Sequence, residues 1–362
     1  MRAAMQHFRW AFVATAAGLV LAFWLGWRFT GTLSGAMSAL IIGAVLAVLE
    51  ISLSFDNAIV NANKLKDMTP VWQRRFLTWG IVIAVFGMRI VFPLAIVAVA
   101  AHIGPLAAIK LAATDPETYA DIIGHAHLSI AAFGGTFLMM VGLSYFVDEH
   151  KEVDWFCTLE CRLRQCASVR GLEIAFVLVL MLGFASALPG PAAREFLFAA
   201  LFGLLTFTAV ELLGHVLDAG DAARDIARAG GLGAFLYLEV LDASFSFDGV
   251  IGAFALTQNL FLIAIGLGIG AMYVRSLTLM LVERKTLAQF RYLEHGAFYS
   301  ILALSVIMYA QTLIHISELV TGALGAALIG LSLWSSIRYN RRMMAAARSH
   351  DADEEKPLSQ KA

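Results

Sequence analysis

Ten stretches of almost unbroken apolar residues set the plan of the chain: Trp10–Trp27, Leu33–Ser54, Phe76–Ala101, Leu128–Val147, Leu172–Leu188, Phe196–Leu217, Leu232–Leu256, Leu260–Val282, Ala297–Ile314 and Leu319–Ile337. Most run roughly 18–25 residues, the length of helix that crosses a ~30 Å hydrocarbon layer. Alternating segments of about 10 residues, the mark of membrane barrel strands, are absent. The pattern predicts an all-α, polytopic helical membrane protein of about ten transmembrane helices. Leu172–Leu188 is the shortest block, and it and its partner around Phe202 are the least sharply defined.

Composition agrees: 60% of the 362 residues are hydrophobic and 15% charged, against about 45–50% and 25% in soluble domains. The net charge of −1 says little, but its distribution orients the chain. With a cytoplasmic N-terminus, the inner segments carry 21 Lys and Arg residues, and the outer loops carry three, Arg28, Lys110 and Arg194. The positive-inside rule then predicts ten spans with both ends cytoplasmic. Met1–Ala36 has a signal-peptide flavour, but its apolar block is long and a second span follows at once, so retention is expected. The tail from Ala345 mixes charges with Pro357 and reads as disordered. Cys157, Cys161 and Cys166 fall in one reducing, cytoplasmic loop, where inert thiols are expected rather than a disulfide.

The second and seventh blocks share a pattern. One reads Glu50-Ile51-Ser52-Leu53-Ser54-Phe55-Asp56-Asn57, the other Asp242-Ala243-Ser244-Phe245-Ser246-Phe247-Asp248-Gly249. Each has an acid, two alternating serines, a second acid six positions on, and a turn-compatible residue. Each is followed one block later by an arginine, Arg89 or Arg275. The blocks stand five places apart, so the copies cross in opposite directions, the layout of an inverted-repeat transporter with its site near the midplane. This divides the chain into an N-terminal span (1–32), a first repeat unit (33–147), a cytoplasmic loop with two connecting spans (148–230), a second repeat unit (231–316), and the last span with its tail (317–362).

A charge at the centre of a membrane helix costs about 2.5–3.5 kcal/mol on the insertion scale, so Glu50, Asp56, Glu239, Asp242 and Asp248 together imply on the order of 12–17 kcal/mol. Arg89 and Arg275 can neutralise two of them. The remainder calls for protonation, hydration or a bound cation. Residues six apart on an unbroken helix differ by about 240° and about 9 Å, so Glu50 and Asp56 cannot share one site, nor can Asp242 and Asp248. Either each motif serves two stacked sites, or the helices open near Ser54–Asn57 and Ser246–Gly249; the second is favoured, because interrupted helices recur at ion sites. Glu239, one turn before Asp242, has no counterpart in the first copy and is a candidate for proton coupling. The expected metal ligands are Glu50, Ser54, Asp56, Asn57, Asp242, Ser246 and Asp248. These hard oxygen donors suit Mn²⁺, Mg²⁺ and Ca²⁺ better than Cu⁺ or Zn²⁺, and Na⁺ or H⁺ also fits. No resident cofactor is expected.

The paired motifs Glu50–Asn57 and Asp242–Gly249, with Gly134-Gly135 in the fourth block, resemble the TerC family of bacterial membrane proteins, and more closely a related branch of unassigned function. The resemblance spans about Leu33 to Ile337. It implies kinship with lysine-exporter-like transporters built from two inverted three-helix units, metal-ion export, chiefly of manganese, and an indirect link to tellurite resistance. It carries Glu50, Asp56, Asn57, Asp242 and Asp248 over as ion-binding positions. Gly249, where Asn or a similar polar residue is expected, and the extra spans between the units depart from it.

Other polar groups read as solvated or interfacial: Glu211 with His215 in the sixth block, Asp121, His125 and His127 in an outer loop, and His315 with Glu318 in an outer turn. An enzyme is not expected, because the zinc-protease order His-Glu-x-x-His is missing. A non-transporting scaffold remains the alternative. No phosphate-binding Gly-x-x-x-x-Gly-Lys segment or nucleic-acid-binding feature appears, so the expected partners are the bilayer and the ion, with oligomerisation left open.

Overall fold

The computed structural model describes residues 7–66, 68–80, 82–100, 103–148, 151, 153–166, 171–221, 231–257, 259–284, 289–314, 316 and 318–354. Among them every regular element is helical. The helices are α1 (Arg9–Thr30), α2 (Leu33–Leu53), α3 (Phe55–Leu65), α4 (Pro70–Arg75), α5 (Phe92–Ala100), α6 (Pro105–Thr114), α7 (Pro116–Val147), α8 (Cys157–Cys166), α9 (Leu172–Ala187), α10 (Gly190–Asp221), α11 (Leu232–Leu256), α12 (Leu260–Glu283), α13 (Leu293–Gln311) and α14 (Glu318–Glu354). π-wound turns cover Phe76–Gly80 and Ile83–Val91.

Seven helices are long and apolar enough to cross a bilayer: α1, α2, α7, α10, α12, α13 and α14. Their outer faces are crowded with exposed large apolar side chains, such as Val20, Phe198 and Trp334, which only a lipid environment satisfies on this scale. The molecule is a helical membrane protein. All ten apolar blocks are mainly helical in their described residues, but three fall short of a full single span. The third is split between π turns and α5, the fifth is the 16-residue α9, and the seventh, α11, carries three acids. Pro93, at the start of α5, has no N–H for the carbonyl four residues upstream, and the wider i→i+5 winding just before it accommodates that gap.

Local chemistry explains the ends. Gly31 adopts φ 65° and closes α1, a left-handed conformation that glycine takes without strain. The Thr32 hydroxyl then accepts from the Gly35 N–H at 3.2 Å and caps α2. Asp115 caps α7 through Thr118 N–H at 3.1 Å, with Pro116 in the first turn. As a result α7 begins well before Leu128, and Asp121, His125 and His127 lie on its first turns rather than in the expected loop. Asp121 and His125 approach to 3.6 Å, one helical turn apart and well exposed.

The core forms where α7 meets α10 and α13. Close approach depends on small residues, as in many membrane helix pairs. A Cβ on Gly142 would stand 2.5 Å from Leu302 Cδ2, and one on Gly203 would stand 2.4 Å from the Phe133 carbonyl oxygen. The Gly203 contact is with backbone, which cannot rotate away. Gly203→Ala should therefore destabilise the protein by about 1–3 kcal/mol, read as a lower unfolding midpoint in micelles, whereas Gly183→Ala, with open space at its Cβ, should match wild type.

The segment after α7 is pinned to α13 by one carboxylate. Glu160 on α8 is fully buried and contacts Lys151. It accepts from Tyr299 Oη at 2.9 Å and from the Phe156 N–H at 3.0 Å, and His295 Nε2 lies 3.3 Å away. Burial pushes this carboxyl up, but the His295, Lys151 and Phe156 hydrogen bonds outweigh it and hold it well below the usual carboxylate range. Cys161 sits half-buried on the same helix; the Cys157 and Cys166 side chains lie outside the described residues.

Candidate functional site

The two acidic motifs face each other. Leu46 packs with Val250 and Ala253. Glu50 lies against Gly249, where an added Cβ would be 2.8 Å from Glu50 Oε2. Asn57 Nδ2 donates to Asp242 Oδ1 at 2.7 Å, and Lys64 Nζ stands 5.4 Å over the Tyr237 ring. As the chain rises from 46 to 64 along α2 and α3, its partners fall from 253 to 237 along α11, so the motif helices run antiparallel. Glu50 aligns with Asp242 in the two motifs, and Asn57 aligns with Gly249. The two proximities thus join equivalent motif positions, but only Asn57–Asp242 is a polar contact, since Gly249 has no side chain to offer Glu50.

Between α2 and α3 the helix is interrupted at Ser54, whose φ −99° and ψ 16° leave the α region. The expected break in the first motif is present. The second is absent: α11 runs unbroken from Leu232 to Leu256, with the Ser244 hydroxyl returned to the Val240 carbonyl at 2.9 Å.

The break brings Glu50 and Asp56, 2% and 5% exposed, to one cavity. Ser54 Oγ donates to Glu50 Oε1 at 3.2 Å, and Ser300 Oγ from α13 donates to Asp56 Oδ2 at 2.9 Å. The Asn57 N–H donates to Asp56 Oδ1 at 2.9 Å, and Asp56 occupies the first turn of α3, where the helix dipole favours a negative charge. The cavity measures about 30 Å³ and is also lined by Gly249 and Thr321. At about 10–15 Å³ per water site, that is room for about two water-sized groups. The Thr321 hydroxyl oxygen is buried there without a hydrogen-bond partner. No Lys, Arg or His lines the space. Two carboxylates and the hydroxyl residues Ser52, Ser54, Ser300 and Thr321 therefore converge on a void whose described lining carries no basic side chain. No cluster of three or more His, Cys, Asp or Glu forms among the described residues, so the hydroxyls have to complete any coordination shell.

Other expected positions separate from this chamber. Asp242 is engaged by Asn57 on the opposite side of α3. Ser246 and Asp248 lie on α11, but their side chains, like that of Arg89, fall outside the described residues. Arg275 makes no ion pair among the described residues, and its Nε is buried without a hydrogen bond, so the expected pairing with an acid is not found there. Glu239 abuts Gly80, whose Cβ would stand 2.8 Å from Glu239 Oε1. Glu211 lines a larger cavity of about 620 Å³ with Lys64, Asp148, Glu173 and Tyr237; the His215, His315 and Glu318 side chains are outside the described residues. Ser300 and Thr321 were not foreseen. Each is one of several hydroxyls in its apolar block, with no repeated motif to mark it.

No curated protein and no solved structure matches the chain. A family model described as "Protein of unknown function (DUF475)" matches residues 55–343. That match replaces the TerC family suggested by the acidic motifs. The likeness rested on two short acid-serine patterns, the first of which lies mostly before the matched segment, whereas the family model spans most of the chain. By that match, the chain belongs to the DUF475 family of proteins of unknown function.

Proposed function

We propose that this protein carries a hard divalent cation across a bacterial plasma membrane, through the chamber lined by Glu50, Ser54, Asp56, Ser300 and Thr321. The observation that carries the reading is the pair of buried carboxylates around a small void with an unpartnered hydroxyl and no basic group. Two carboxylates and several hydroxyls around one small void form a hard, all-oxygen donor set, and one divalent cation with water ligands matches their two charges. Oxygen-only donors favour Mg²⁺, Ca²⁺ or Mn²⁺ over softer ions. In this reading all ten apolar blocks cross the membrane and both termini are cytoplasmic. The two motif helices belong to inverted units that rock about the chamber. Export is driven by an ion gradient, with the acids taking protons when the metal leaves.

The test is flux into proteoliposomes with Mg²⁺, Ca²⁺, Mn²⁺, Zn²⁺ and Na⁺ supplied singly. Wild type should move at least one hard divalent ion, and Asp56→Asn and Glu50→Gln should slow it at least about 10-fold, the scale on which groups supporting a metal site act. Flux of none of these ions, or unchanged flux in both variants, would defeat the proposal and favour a non-transporting scaffold.

A further inference from the structure

We infer that a second site, for an alkali cation such as Na⁺, lies between α3 and α11, one to two turns from the chamber. Its observations are independent of the chamber. The Asp242 carboxylate can only accept, so Asn57 must turn its amide nitrogen toward it, and this sends Asn57 Oδ1 the other way. That oxygen is buried with no hydrogen-bond partner. Asn61, one turn further along α3, is also 4% exposed with its Oδ1 unpartnered. The antiparallel register runs from Asn57 beside Asp242 to Lys64 over Tyr237, and therefore sets Asn61 level with Leu238 and Glu239. Glu239 Oε1 is a third buried oxygen without a donor.

Three orphaned acceptors along one helix-helix seam are unusual, since buried polar atoms are nearly always satisfied. The two neutral amide oxygens and the Glu239 carboxylate, beside Asp242, form an all-oxygen donor set richer in neutral donors than the chamber, the mixture of carbonyl and carboxylate oxygens with which transporters hold Na⁺. Gly80 supplies a side-chain-free wall at Glu239. A cavity of about 620 Å³ reaches the next turn of the same two helices at Asn63, Lys64 and Tyr237, and is lined by the acids Asp148, Glu173 and Glu211.

The experiment follows the thermal midpoint of the full-length protein in lipid nanodiscs with Na⁺, against N-methylglucamine at equal ionic strength. A ligand that binds the folded state raises the midpoint in a saturable way. Wild type should respond to Na⁺, and Asn61→Ala should need at least about 10-fold more for half the shift. Asp56→Asn, which lies in the chamber, should keep the full Na⁺ response. If Asn61→Ala lacks helical circular dichroism, Glu239→Gln, which keeps the side-chain volume, carries the same expectation. No Na⁺ response in wild type would mean that water alone fills the seam, and the inference falls. It falls equally if the folded seam variant responds like wild type, or if Asp56→Asn removes the response. Divalent flux through the chamber can succeed or fail separately from each of these results.

Discussion

Gly249→Asn should empty the protein of its divalent-cation response while leaving it folded. The position is the counterpart of Asn57, and the missing side chain is what leaves the chamber open beside Glu50. An asparagine there would place an amide in a void of about 30 Å³ and let it donate to Glu50, repeating the 2.7 Å contact that Asn57 makes with Asp242. Metal-dependent thermal shifts and proteoliposome flux both read the outcome. The apparent affinity should fall at least about 100-fold, roughly 2.7 kcal/mol. Gly249→Ala should fall between the two, because its Cβ only crowds Glu50 Oε2. Wild-type metal affinity in Gly249→Asn would show that the chamber is not where the metal binds.

Glu160→Ala should be the most destabilising substitution outside the membrane spans. It would leave Lys151 and His295 beside α13 with their shared partner gone, and breaking a buried pair from one side costs about 3–5 kcal/mol. The folded carboxyl is held below its ordinary range, so its contribution is fully present above the unfolded value near 4.3 and is lost as the pH falls below it. Unfolding midpoints in micelles should therefore decline on acidification in wild type. Glu160→Gln, with nothing to protonate, should lose that part of the slope. An unaltered acid slope in Glu160→Gln would assign it to other groups. Limited proteolysis between Asp148 and Gly171 should also accelerate in Glu160→Ala.

The apolar blocks were legible because burial in lipid demands long, uniform stretches, and each of the ten is mainly helical where described. Their classification was less legible, since length alone does not reveal that Pro93 follows π-wound backbone or that Leu172–Leu188 makes only 16 residues of helix. Glu50, Ser54 and Asp56 stood out because charge in an apolar block is conspicuous, and the break at Ser54 followed from helix geometry. The same reasoning failed for Ser246–Gly249, because serine can satisfy itself against the preceding turn as readily as it can end a helix. Ser300 and Thr321 come from α13 and α14, far along the chain, and only tertiary packing brings them to Asp56. Gly249 looked like a defect in the motif, and its neighbour Glu50 shows it to be the source of the void. The family resemblance misled for a related reason: eight-residue patterns of acids and serines express a physical need that unrelated families can share.

The small residues around Glu50 bear on how this protein can vary. A Cβ at Gly266 would meet Leu46 Cβ at 2.4 Å, and one at Gly270 would meet Glu50 Cγ at 2.3 Å. Gly266 and Gly270, both on α12, hold the α2 backbone around Glu50 at close range, and any replacement at them adds atoms where none fit. Natural drift near Glu50 will thus be policed by shape. Under the proposed function, changes in ion preference would enter instead through Ser300 and Thr321, whose hydroxyls line the chamber from α13 and α14.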